Sequence, residues 1–147
     1  MKRGDKEAEL LKAQDYTTTK AYDGLDRSRQ ITYPEDKDGS RKVLEPTYNK
    51  AGSLQAVDLD GSTYVEHIAY NPKGQRILAA LGCGVMTRYD YDDESMRLVR
   101  LRSEGYTKPN STTYAPDGTT PHQDFSYTYD GVGNVTQIDS AGNNVGI

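Results

Sequence analysis

A short string recurs five times along this chain, and a repeat of that length restricts the fold more than any other feature of the sequence. It reads YDGLDRSRQI from Tyr22, YNKAGSLQAV from Tyr48, YNPKGQRILA from Tyr70, YDDESMRLVRL from Tyr91 and YDGVGNVTQI from Tyr129. The shared form is Tyr, then Asp or Asn, then a few variable residues, usually Gly, and an alternating apolar tail. Successive tyrosines lie 26, 22, 21 and 38 residues apart. The long last interval holds a Gly-, Pro-, Ser- and Thr-rich stretch between Ser103 and Gln123, which reads as an inserted loop.

Each unit has the chemistry of a β-hairpin. Asp23, Asn49, Asn71, Asp92 or Asp130 can bond backbone N–H groups two residues on, and Gly52, Gly74 or Gly133 supplies the positive φ that closes such a turn. Asp26 stands at the glycine position of the first repeat, and Ser95 with Met96 replaces it in the fourth, which is one residue longer. The flanks alternate as strands do. Phe125, Tyr127 and Tyr129 fall on one face with Ser126 and Thr128 on the other, and Tyr89 and Tyr91 repeat the spacing. Pro34 to Ser40, Asp60 with Gly61, and Gly82 with Gly84 mark further turns between units. The expectation is an all-β fold of antiparallel hairpin repeats forming a curved sheet, with about ten strands of 5 to 8 residues.

Ile, Leu, Val and Phe make up only about a sixth of the chain, a level at which disorder enters the reckoning. Twelve tyrosines oppose it, because each can bury a large ring, and folded structure with a thin core is expected. The organisation read from the sequence is a polar extension over 1–14, weakly helical around Asp5 to Ala13 or disordered; five repeats over 15–140 with the loop at 103–123; and a tail over 141–147. A hairpin unit cannot bury its tyrosine face alone and must stack on neighbours. Nothing before Tyr16 or after Ala141 reads as a polar cap. The units are therefore expected to form an interior stretch of a longer array or to depend on partner chains.

Acidic side chains number 22 against 18 basic ones, a formal charge of −4, and there is no basic cluster, which argues against nucleic acid as a partner. No apolar run is long enough for a membrane span or a signal peptide. The one cysteine, Cys83, cannot form an internal disulfide.

The series from Tyr22 to Ile138 resembles the YD repeats of the Rhs proteins, and in particular the shell of the B and C subunits of insecticidal toxin complexes. AYDGLDRSRQITYP, then YNPKGQRI followed by GVMTRYDYDDESMRLVRLRS, then QDFSYTYDGVGNVTQI carry the likeness, over about residues 14 to 140. The resemblance implies a hollow cocoon of spiralling antiparallel strands that encloses a toxic C-terminal polypeptide. The partners it implies are the remaining shell repeats and the enclosed toxin domain. It also implies that Tyr22, Tyr48, Tyr70, Tyr91 and Tyr129 stack as a ladder, and that the protein is made in the cytoplasm and released outside the cell. Shells of this kind carry a core segment whose aspartates cut the cargo free. No stretch here matches it, so no catalytic residue is assigned and the chain reads as a structural element without enzymatic activity. Cys83 sits in GCGV, where family members more often show Gly, Asn, Gly.

Other chemistry is weak. If Gly39 is the sixth position of a calcium loop, Pro34 takes the first, where no side chain can coordinate, and DLDGST from Asp58 places Ala56 there. Both read as turns. His67 and His122 have no partner at ligand spacing, no nucleophile or phosphate-loop motif occurs, and no cofactor is expected. Asn110 and Asn134 begin N-x-Thr sequons, which matter only for a chain secreted by a eukaryotic cell. The alternative functional reading is a surface module that grips a glycan or a protein through exposed tyrosines and the 103–123 loop; saturable binding would separate it from a passive wall.

Overall fold

The structure, a computed structural model, describes residues 16–141. The expected helical turn around Asp5 to Ala13 and the tail from 142 lie outside the described residues. Within them the chain is all β, in eleven antiparallel strands. It divides into two units, one up to Leu44 and one from Glu45.

The first unit holds β1 (Thr19–Tyr22), β2 (Ser28–Glu35) and the first half of β3 (Arg41–Tyr48). Ile31 of β2 sits between Lys20 of β1 and Leu44 of β3, which fixes the register of all three. The β2 to β3 ladder breaks between Thr32 and Glu35. Pro34 lies in that gap, and its missing N–H removes a rung. Arg41 ties the unit together by donating to the carbonyls of Tyr33 at 3.0 Å and Thr17 at 2.6 Å.

The second unit continues with β4 (Leu54–Leu59), β5 (Ser62–Tyr70), β6 (Arg76–Leu81), β7 (Val85–Tyr91), β8 (Leu98–Asn110), β9 (Thr113–Pro116), β10 (Gln123–Tyr129) and β11 (Val135–Ser140). Neighbours in space follow the chain from β4 to β8, then β10 and β11, with β9 paired to the far half of β8. Local contacts of this kind suit a repeat, since each hairpin needs only the next one. Val57, Ile68, Ala79, Ala80 and Met86 are buried. Ala80 and Met86 face each other across β6 and β7, so a small residue makes room for a flexible one.

The segment 103–123, expected as a loop, is largely a hairpin. β8 runs 13 residues, past the end of its pairing with β7, and β9 folds back on it with Tyr106 opposite Pro116 and Thr107 opposite Ala115. Tyr106, Thr107, Thr113 and Tyr114 are strand formers, and Asn110 closes the turn by accepting from the Thr112 N–H at 3.0 Å. Of the breakers counted in the sequence, Pro109, Asn110 and Ser111 fall at the tip, and Gly118 and Pro121 follow β9. Ser103 pairs with Thr87 on one side and Gln123 on the other, so the excursion leaves and rejoins the sheet at one point.

In the β6 to β7 turn the backbone passes close to β5. A Cβ on Gly82 would lie 1.8 Å from the Thr63 carbonyl oxygen. That neighbour is backbone and cannot swing aside. Gly82→Ala is therefore expected to cost about 2 kcal/mol or more, as a shifted midpoint in urea unfolding with the slope unchanged.

Candidate functional site

All five repeat turns use one side-chain device. The oxygen of the residue after the tyrosine accepts backbone N–H groups of its own turn: Asp23 from Leu25 at 2.9 Å and Arg27 at 3.0 Å, Asn49 from Ala51 and Ser53, Asn71 from Lys73 and Gln75. Asp130 accepts three, from Val132, Gly133 and Asn134, between 2.7 and 3.0 Å. Asp92 accepts from Ser95 at 2.7 Å in the longer fourth turn. Each turn then closes with a residue of positive φ: Asp26 at 59°, Gly52 at 85°, Gly74 at 81°, Met96 at 60° and Gly133 at 102°. This is a hairpin loop ending in a left-handed residue, which glycine adopts without strain and Asp tolerates. Asp36 builds the same turn at Asp38 and Ser40, so the carboxylate considered for calcium is already occupied by its own loop. The Arg27 side chain, bonded to Asp23, holds that carboxyl down to about 2. The Asn134 amide acts on Asp130, and the Ser95 hydroxyl on Asp92, in the same direction.

The tyrosines connect one turn to the one before it. Tyr70 donates its hydroxyl to the Leu54 carbonyl at 2.8 Å, Tyr91 to Arg76 at 3.1 Å and Tyr129 to Leu98 at 2.7 Å. Arg76 is the cross-strand partner of Tyr70, and Leu98 that of Tyr91. Each hydroxyl therefore reaches the backbone where the previous hairpin opens. Consecutive repeat tyrosines end strands two positions apart in the sheet, about 9.6 Å at normal strand spacing. Arginine fills some of the interval, with Arg97 5.5 Å from the centre of the Tyr129 ring and donating to the Asp130 carbonyl at 3.1 Å. Tyr48 is half-buried and Tyr22 is 53% exposed.

Two clusters were not anticipated from the sequence. His67 stacks on Tyr114 at 5.6 Å, Tyr106 meets the Tyr114 ring edge-on at 5.3 Å, and Glu66 binds both Lys108 and the Tyr106 hydroxyl. These contacts lay the β8 to β9 hairpin on β5, and burial pushes the Tyr106 and Tyr114 hydroxyls up. The second cluster lies on one face of β7, β8 and β10. Glu104 and Asp124 are buried there, with 1% and 4% exposure. Arg100 grips Asp124 with two bonds of 2.7 Å, Arg102 grips Glu104 at 2.8 and 3.0 Å, and Arg88 also pairs with Glu104. The Arg100 hydrogen bonds outweigh burial and keep the Asp124 carboxyl below its usual range. Alternation of charge at 100, 102 and 104 is the trace of this face in the sequence.

Cys83 is exposed at its turn. The amide of Asn134 donates to Asp130, and the side-chain oxygen of Asn110 accepts within its own turn, so both sequon asparagines serve the hairpins that carry them. Among the described residues no group of His, Cys, Asp and Glu is placed to hold a metal, and no helix is long and apolar enough to cross a membrane.

No family model matches the chain. It is 33% identical over 135 residues to toxin subunit YenC1 of Yersinia entomophaga, a match covering 88% of this chain and 13% of that protein. Toxin subunit YenC2 of the same organism is 30% identical over 134 residues, with the same coverage. Among solved structures, the crystal structure of TcdB2-TccC3 superposes with a TM-score of 0.73 at 24% identity, over 97% of this chain and 6% of that one. The Photorhabdus luminescens Tc holotoxin pore gives 0.71 at 25% identity, with the same shares. The chain thus spans about an eighth of the length of the curated relatives it matches. Its resemblance to the Rhs shell of insecticidal toxin complexes extends along nearly all of it, in sequence and in fold.

Removing one hydroxyl isolates the inter-repeat bond. Tyr70→Phe is expected to lower stability by about 1 kcal/mol and Tyr70→Ala by about 3 kcal/mol or more, compared by chemical denaturation on the same day and buffer. Equal stability of the Phe variant and the parent would remove the hydroxyl's role.

Proposed function

We propose that this chain is a stretch of wall in a hollow β-strand shell that encloses a toxic polypeptide within a larger toxin complex. The observation that carries the reading is the match to two toxin subunits along 88% of the chain. In this reading residues 15–140 are the repeat array, 103–123 is an excursion carried on it, and 1–14 and 141–147 are connections to the rest of the assembly. Its partners are further repeats on either side and the enclosed polypeptide, and its role is mechanical, without catalysis. The protein acts after release from the cell that makes it.

The physics of the repeat supports such a role. A wall must be thin and stiff, and it needs polar groups satisfied without a second layer to cover them. The turn oxygens and tyrosine hydroxyls meet that need along one edge. Strand β11 is exposed along all six residues, including Val135 and Ile138, an apolar row of the kind a following hairpin covers.

The test is protease protection of the native assembly, recovered with an antibody against the Tyr106 to Pro116 hairpin. A shell predicts a captured species far larger than 147 residues, containing a segment that resists protease until the shell is denatured. Recovery of a free chain of this length with no protected companion would overturn the reading.

A further inference from the structure

We propose that Arg88, Arg100 and Arg102 form a docking strip for an extended acidic peptide with carboxylates at alternate positions. The two buried acids lie beneath the three guanidinium groups: side-chain exposure is 41% for Arg88, 42% for Arg100 and 30% for Arg102, against 2% for Glu104 and 5% for Asp124. The two buried carboxylates are thus covered by half-exposed guanidinium groups. Arg100 uses one edge of its fork on Asp124, and Arg88 engages Glu104 through a single terminal nitrogen. The Nε of Arg88 is buried with no acceptor among the described residues.

Spacing selects the occupant. Arg100 and Arg102 are two residues apart on β8, so they stand about 7 Å apart on one face, the separation of alternate side chains on any extended strand. A peptide lying along β8 can set two alternate carboxylates over Arg100 and Arg102, with Arg88 beside Arg102 on β7. The fork geometry favours planar carboxylates over a point charge. Asp90, which pairs in register with Arg100 and is exposed, repels acids approaching over β7 and holds the peptide toward β10. Counting Asp90, three acids balance three arginines, so no long-range field gathers polyanions as such. The strip reads short-range geometry instead.

The test uses fluorescence anisotropy of labelled peptides with the full chain at low salt. A peptide alternating Glu and Thr is expected to bind saturably, about fivefold or more tighter than a peptide of the same composition with its Glu residues in one block. Arg88→Gln should weaken binding about fivefold. Because that change also removes one of the two arginines that pair with Glu104, Asp90→Asn supplies a variant that leaves the Glu104 and Asp124 ion pairs whole, and it should tighten binding. Absence of saturable binding, equal binding of the block peptide, or indifference to Asp90→Asn would each overturn the proposal.

Discussion

A side-chain oxygen one residue after each repeat tyrosine takes the backbone N–H groups that a tight turn leaves without a strand partner. The rest of the structure depends on this bond. With a sixth of its residues in Ile, Leu, Val and Phe, the chain cannot hold its hairpins by burial alone. Local polar bonds define where each hairpin turns, and therefore which strand face carries the few apolar residues. From that register follows the placing of the tyrosines Tyr70, Tyr91 and Tyr129 where each hydroxyl meets the preceding hairpin.

The parts of the fold legible in the sequence are those fixed within about five residues. The Asx oxygens and left-handed closures at Asp23 to Asp26, Asn49 to Gly52 and Asn71 to Gly74 depend only on their own turn, so composition and spacing reveal them. The hydroxyl bonds of Tyr70, Tyr91 and Tyr129 reach the preceding hairpin, so they depended on the strand order as well. The 103–123 segment reads as a loop because its Gly, Pro and Ser are interspersed with the strand formers, Tyr106 and Thr107 among them, that pair β8 with β9. The ion-pair face was least visible. Arg100 and Asp124 are 24 residues apart and meet only because the excursion between them returns to where it left.

Buried carboxylates at the foot of that excursion bear on the wall reading. Charge taken out of water is costly unless it is fully paired, and removing one partner is worse than removing both. Glu104 and Asp124 therefore constrain β7, β8 and β10 to one register, and the hairpin beyond them leaves and rejoins the sheet at Ser103 without disturbing it.

The central claim is that tyrosine hydroxyls couple neighbouring hairpins, so that they open together. Native-state hydrogen exchange on Tyr91→Phe tests it directly. The account predicts lost protection in the 71–76 turn, whose Arg76 carbonyl accepts the bond, as well as in the 92–97 turn, while β10 and β11 keep theirs. Loss confined to the 92–97 turn would contradict it.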